Sequence, residues 1–217
     1  MNNFADTKID GFPFDLFNFD LTAPQPTLDA DLLKQLSFIP GLKEILMLRQ
    51  VHALEHATVW LLSESKVTHP SPFISNHIQV DNNSFGGLST EEGFYLYGDV
   101  NISDLRRAAT LALHRLINGE WDLAVHPRCG TNASVAMLLT AGFAVSMHVL
   151  LPLGIIEQLL GLGVAATTAA ELAPDVGALA QKYLTTAIPF NLKIENITHT
   201  PDLSGREAYF VKVCWRE

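Results

Sequence analysis

The sequence predicts an α+β fold in which a metal-motif helix and a small mixed or antiparallel sheet are joined to a hydrophobic helical hairpin. A strong helical stretch runs from Leu42 to about Ser63 without internal glycine or proline. Short alternating patterns at 93–100 and 206–217 predict strands. The stretch from Cys129 to Ile156 contains no Asp, Glu, Lys or Arg, which is typical of a membrane or deeply buried hairpin.

The chain of 217 residues is long enough for one sizeable domain with a short appendage. Residues 1–37 form an acidic, Phe-rich leader that we expect to be largely disordered, with a short helix from Asp29 to Phe38. Alternatively, its phenylalanines bind in a groove of a protein partner or of the domain itself. The leader lacks the basic and uninterrupted apolar regions of a signal peptide. Residues 38–217 are predicted to form a single α+β domain.

Composition and charge exclude some function classes. The chain is 48% hydrophobic and 17% charged, below the roughly 25% charged that is usual for soluble domains. Its net charge is -9 and it has no basic run, so we expect no nucleic-acid partner. Electrostatic docking on anionic lipid is disfavoured for the same reason. Its two cysteines are too few for a disulfide framework, which favours a reducing compartment.

The remaining elements follow from local signals. We expect a strand at His77–Val80, a helix that begins near Ser103 and ends at Gly119, and a strand in "WDLAVHP". The segment "LKIENITHT" is expected to pair with the C-terminal strand. The turn-rich segment "DNNSFGGLSTEEG" contains Gly86 and Gly87, which allow a close backbone approach and are expected to form a wall of a metal cleft.

The apolar hairpin, about residues 131–173, is predicted to be embedded in membrane lipid, because roughly 20 apolar residues suffice to span a bilayer. The alternative is a buried core hairpin. Arginines including Arg128 precede the hairpin and Lys182 follows it, whereas the loop between its arms has no Lys or Arg. Both ends, and the soluble part, are therefore expected on the cytoplasmic side.

The sequence "HALEH" gives the chain a candidate metal motif. His52 and His56 lie four residues apart, so on a helix both imidazoles project from one face and can reach one cation. Glu55 lies beside them and could act as general base by polarising a metal-bound water. The alternative is a polar stripe in which Glu55 pairs with Arg49 and the histidines bond to backbone.

A second motif, "AVHPRCGTN", places His126 and Cys129 three residues apart in a Pro/Gly turn. Two ligands from each motif would give a site of His52, His56, His126 and Cys129, with the cysteine bound as thiolate. Nitrogen and sulfur donors favour zinc, with iron or copper as alternatives. The alternative for Cys129 is a small buried hydrophobe. Glu120 is an alternative third ligand.

The segments "VHALEHATVW" and "LAVHPRCGTN", followed by the apolar hairpin, resemble a group of uncharacterised bacterial membrane proteins described only as predicted metal-dependent enzymes. The segments "GGLSTEEGFYLYGDV" and "ALHRLINGEWDLAVHPRCGTN" are similar to a cyanobacterial branch of this group. The resemblance covers roughly residues 38 to 215. It implies a metal site at His52, His56, His126 and Cys129, with Glu55 beside it, and it implies no substrate.

We therefore expect a membrane-associated, metal-dependent hydrolase, with zinc as the favoured ion and Glu55 as general base. If Cys129 closes the coordination sphere, the ion is structural instead. The alternatives are a non-catalytic, metal-stabilised membrane scaffold or assembly protein, and a binder of hydrophobic ligands.

Overall fold

A computed structural model of the chain describes residues 28–66, 84–150 and 154–216. It confirms the α+β prediction: the described residues form five α-helices and one four-stranded antiparallel sheet. The helices are α1 (Leu28–Gln35), α2 (Leu42–Lys66), α3 (Ile102–Ile117), α4 (Gly130–Leu150) and α5 (Ile155–Ala180). The strands are β1 (Gly86–Thr90), β2 (Gly93–Tyr97), β3 (Leu192–Pro201) and β4 (Glu207–Trp215).

Helix α2 lies at the centre of the core and packs against α3 and against the β1 end of the sheet. Its apolar residues surround the helix, so from Val51 to Ser63 it is buried except for the half-buried His52, with Leu54 and Ala57 at 0% exposure. The first two turns differ, because Ile45 and Leu48 remain exposed. The predicted metal-motif helix is therefore confirmed, with an apolar but uncovered N-terminal end.

The sheet has the order β1-β2-β4-β3, with every neighbouring pair antiparallel. The predicted pairing of the last two strands is confirmed, with Ile197 opposite Val211. Phe94 and Leu96 of β2 are fully buried along with Val211. This alternation of buried residues places one face of the sheet on the core that also contains α2.

The apolar hairpin consists of α4 and α5, and a π-helical segment, Gln181–Thr185, continues α5. Both helices are long and apolar enough to cross a membrane. Large aliphatic side chains on them are exposed, such as Leu138 at 72% and Leu160 at 69%. The second arm extends past the predicted limit of residue 173, because the helix continues through Pro174.

Two local predictions were wrong. Residues 86–90 form strand β1 instead of a turn, because they pair with β2 across a two-residue turn in which Thr90 Oγ1 donates to the Gly93 carbonyl. Trp121–Ala124 is a 3-10 helix instead of a strand. The Val125 N–H closes it by donating to the Asp122 carbonyl. The predicted strand at 77–80 and residues 1–27 of the leader lie outside the described residues.

Candidate metal site

Three of the predicted ligands converge. The donor atoms of His52, His56 and Cys129 all lie within 4.8 Å of one another and form a group that could hold a metal ion. Cys129 Sγ lies 3.2 Å from His52 Nε2. The two imidazole centroids are 4.3 Å apart, as expected for histidines one helical turn apart. We call these three residues the donor group.

Backbone carbonyls fix both imidazoles. His52 Nδ1 lies 3.1 Å from the Thr185 carbonyl oxygen, and His56 Nδ1 lies 2.7 Å from that of Ala124. Because a carbonyl only accepts, each neutral ring carries its proton on Nδ1 and presents the lone pair of Nε2. Histidines that ligate metals are oriented in this way by their second nitrogen. The predicted bonding of the histidines to backbone is therefore present and compatible with ligation.

Cys129 lies immediately before the N-terminus of α4, where a thiolate is favoured. Burial raises the pKa of its thiol. The hydrogen bond and charge of His56, followed by the contacts with Thr131, outweigh burial, and the pKa lies below its usual value. The Thr131 backbone N–H donates to Sγ at 3.4 Å. The Thr131 N–H and the N-terminus of α4 favour the metal-binding thiolate form also when His56 is a neutral ligand.

Glu55 is buried on the same face of α2. Burial raises the pKa of its carboxyl, against the opposing effects of the His52 charge and of a hydrogen bond from Ser89 Oγ to Oε2 at 3.1 Å. Gly87 of β1 lies against this carboxylate, and a Cβ atom there would lie 2.1 Å from Oε1. The predicted close backbone approach is thus present at Gly87. Arg49, the alternative partner for Glu55, donates to the Thr186 carbonyl.

His126 lies beside the donor group and outside it. Its ring centroid is 5.7 Å from that of His56 and 4.5 Å from that of Trp60. Its Nδ1 accepts the Arg128 backbone N–H at 3.2 Å. Ligation by His126 stays a prediction. Glu120, the alternative ligand, is exposed and accepts from Arg115 Nε at 2.8 Å, outside the cleft.

The hairpin holds the second motif in place through Gln181, which is fully buried. Its Oε1 accepts the His126 backbone N–H and its Nε2 donates to Asn132 Oδ1, each at 2.8 Å. Asn132 Nδ2 in turn donates to the Pro127 carbonyl at 2.7 Å. Four residues later, the π-helical segment presents the Thr185 carbonyl to His52. Both arms of the hairpin are thus connected to the donor group.

All five predicted site residues line one cleft of about 640 Å³. They are His52, Glu55, His56, His126 and Cys129. Sequence reasoning missed Ser89 and the Thr185 and Ala124 carbonyls. Ser89 and Thr131 have a weak sequence signal, since they occur within "GGLST" and "RCGT". Every residue has a backbone carbonyl, so the sequence carries no signal that marks the Thr185 and Ala124 carbonyls.

The donor set fits a divalent ion such as zinc. Two imidazole nitrogens and one thiolate are the ligand types that zinc binds, and the fixed Nε2 atoms face the same space as Sγ. Catalytic zinc sites typically have three protein ligands and keep one coordination position open. The donor group, with the buried Glu55 carboxylate in the same cleft, matches this arrangement.

Comparison with known proteins identifies a family. The sequence profile of a domain of unknown function, DUF6391, matches residues 47–197. An uncharacterised protein of the cyanobacterium Picosynechococcus sp. is 48% identical over 198 residues, which cover 91% of this chain and 94% of that protein. No solved structure matches the chain.

Proposed function

This chain belongs to the DUF6391 family, and from the geometry of its cleft we propose that it is a membrane-embedded, metal-dependent hydrolase with Glu55 as general base. The observation behind the proposal is the convergence of His52, His56 and Cys129 beside a buried carboxylate in one cleft. The family match gives no chemistry, so the proposal depends on these residues alone.

Each residue has a role in the proposal. His52 and His56 would hold the ion through Nε2, and Cys129 would hold it through Sγ. When bound, a zinc ion at three protein ligands lowers the pKa of water and polarises a carbonyl or phosphoryl oxygen. Glu55 accepts the proton of the attacking water at Oε1, since Ser89 already donates to Oε2. Because His126 lies outside the donor group, its position supports a fourth coordination position of the ion that stays open for water or substrate.

We also propose that α4 and α5 cross the membrane, with both ends on the cytoplasmic side. The exposed aliphatic side chains of the hairpin support lipid contact. Arg128 lies just before α4 and Lys182 just after α5, whereas Gly154, which precedes α5, lies at the other end of the hairpin. The donor group then lies at the base of the hairpin, next to the bilayer surface.

Metal content and hydrolysis test the proposal together. Full-length protein in lipid nanodiscs should contain one divalent ion per chain, which His52→Ala and Cys129→Ala should lose. Glu55→Gln should keep the ion, and its hydrolysis of a panel of fluorogenic esters, amides and phosphodiesters should fall by roughly 10²–10⁴-fold. Glu120→Gln is the matched control, because this exposed carboxylate lies outside the cleft, and it should change neither quantity.

Two results would contradict the proposal. If wild-type protein binds no divalent ion, the site is not a metal site. If the ion is bound but Glu55→Gln hydrolyses every member of the panel at the wild-type rate, the ion is structural, and the scaffold alternative is favoured.

A further inference from the structure

The mouth of the cleft is bordered by aliphatic side chains that remain exposed. Ile45 is 57% exposed, Leu48 40%, Leu88 47% and Leu184 70%, and all four line the cleft that contains the donor group. We call these four residues the apolar rim. Single exposed aliphatic residues are ordinary, but four around the cleft of the donor group indicate a surface that binds an apolar group.

The apolar rim is assembled from three separate elements. Ile45 and Leu48 lie one helical turn apart at the N-terminal end of α2, Leu88 lies on β1, and Leu184 lies in the π-helical segment at the end of the hairpin. This end of α2 differs from the middle of the helix, where the residues from Ala53 to Ser63 are all buried. Leu184 makes the rim continuous with the apolar hairpin.

The cleft floor is chemically different from the rim. Among the described residues that line the cleft, Arg49 and the exposed Arg128 are the cations, and Glu55 is the carboxylate. The two arginines donate to the Thr186 and Phe85 carbonyls. A bound divalent ion would add positive charge, so the floor favours a head group that develops negative charge as it reacts. An aliphatic border around the polar donor group, within one cleft of about 640 Å³, fits an amphiphile with an apolar chain and a polar head.

We propose that the substrate is an acyl-chain amphiphile, whose polar head lies on the donor group and whose chain lies along the apolar rim toward the bilayer. This inference rests on the proposed function, because the donor group must hold the ion that binds the head. It adds a substrate class. The chain would follow the rim from Leu48 to Leu184 and leave the cleft at the base of the hairpin, where membrane lipid begins in the proposed topology.

Two hydroxamates test this assignment. Both probes chelate zinc through the same group, and they differ only in their tails. Acetohydroxamate has no chain, whereas decanoyl hydroxamate has one. Binding to the full-length, zinc-loaded protein in phosphatidylcholine nanodiscs is measured by calorimetry, and partition into empty nanodiscs is subtracted. Each buried methylene contributes about 0.8 kcal/mol, so three to four of them make decanoyl hydroxamate bind roughly 100-fold more tightly.

Variants of the protein test where the acyl chain of the probe binds. In the double variant Leu48→Asn/Leu184→Asn the chain-length preference should fall below about tenfold, while acetohydroxamate binds as to wild type. Both positions are exposed, so neither change leaves a cavity in the core. Leu111→Asn is the matched control: it removes a leucine of α3 that is 45% exposed and does not line the cleft, and it should keep the full preference.

The outcomes are distinguishable. Equal affinity for the two hydroxamates overturns the amphiphile assignment and leaves the metal site intact. A preference that persists in the double variant overturns it as well. If leucyl-leucine hydroxamate binds more tightly than the decanoyl probe, the rim accepts apolar peptide, and the acyl-chain assignment is wrong. If neither hydroxamate binds in a zinc-dependent way, the proposed function fails, and this inference fails with it.

Discussion

Gly87 of β1 lies directly against the Glu55 carboxylate, and a Cβ atom at this position would lie 2.1 Å from Oε1 and 2.5 Å from Cγ. Glu55 therefore keeps its place only while residue 87 has no side chain. Ser89, two residues further along the same strand, donates to Oε2. At the scale of single residues, β1 determines where the proposed general base lies.

Gly87→Ala should displace Glu55 without disturbing the donor group. We expect metal content to stay at the wild-type value, hydrolysis to fall as far as in Glu55→Gln, and the free energy of unfolding to drop by about 1–3 kcal/mol from overpacking. Metal analysis, rate measurement and denaturant titration check these expectations. Gly86→Ala is the control, because a Cβ atom there meets nothing within 4 Å. Identical behaviour of the two variants would show that Gly87 does not position Glu55.

At the scale of residues, the sequence predicts geometry where spacing alone determines it. His52 and His56 share a helix, and helical periodicity places their rings together. Cys129 is 77 residues from His52 in the chain, so its 3.2 Å approach depends on how the 3-10 helix Trp121–Ala124, which precedes it, packs against α2. The sequence placed His126 and Cys129 together as candidate ligands; Cys129 joins the two histidines within 4.8 Å, and ligation by His126 stays a prediction.

At the scale of elements, the hairpin does more than contribute apolar surface. Gln181 connects α5 to the backbone of His126 and to Asn132 of α4, and Thr185 in the π-helical segment orients His52. A π-helical turn inside a long helix often marks a functional position, and here it presents a carbonyl to a candidate ligand. The second arm of the hairpin therefore supports both halves of the donor group.

Gln181→Leu should loosen the second motif. The variant leaves the buried His126 N–H without its acceptor, which costs about 1–3 kcal/mol of unfolding free energy. Zinc affinity should fall as well. Cys129 follows His126 by three residues, so a loosened His126 backbone also loosens this proposed ligand. Thermal unfolding and zinc titration of the nanodisc-embedded protein measure the two effects. Gln158→Leu, an exposed position on the same helix, serves as control. Wild-type zinc affinity in Gln181→Leu would contradict the role given to Gln181.

The sequence predicted elements well where periodicity was strong and poorly where tertiary contacts decide. Helices α2 and α3 and the C-terminal strand pair have clear patterns, and all are present. Strand β1, "GGLST", has low intrinsic strand preference and forms through pairing with β2. Conversely, "WDLA" resembles a strand but forms a 3-10 turn, and Trp60 Nε1 donates to the Val125 carbonyl at its end.

At the scale of the whole molecule, a compact α+β part and an apolar hairpin meet at the donor group. In the proposed topology the hairpin spans the bilayer and the cleft opens at its cytoplasmic surface, where an amphiphile can reach the ion without leaving the membrane. Sequence predicted the hairpin from its lack of charge, but could not predict that the apolar rim would surround the cleft, because Ile45, Leu88 and Leu184 are far apart in the chain.

Cysteine labelling tests this topology. In a Cys129→Ser/Cys214→Ser background, Gly154→Cys lies at the exposed residue that precedes α5, and Leu203→Cys replaces a turn residue that is 94% exposed. We expect a membrane-impermeant maleimide added to intact cells to label Gly154→Cys but not Leu203→Cys until the membrane is opened. Recovery of the protein in the soluble fraction without detergent, or equal labelling of both sites in intact cells, would contradict a membrane-spanning hairpin.

X-ray absorption at the zinc edge of the loaded, full-length protein tests the central claim most directly. The proposed site predicts one sulfur at about 2.3 Å and nitrogen or oxygen donors at about 2.0–2.1 Å, with two imidazoles and one exchangeable water. The sulfur should disappear in Cys129→Ala. A wild-type spectrum without sulfur, or one with three imidazoles and no exchangeable position, would contradict an open catalytic site at His52, His56 and Cys129.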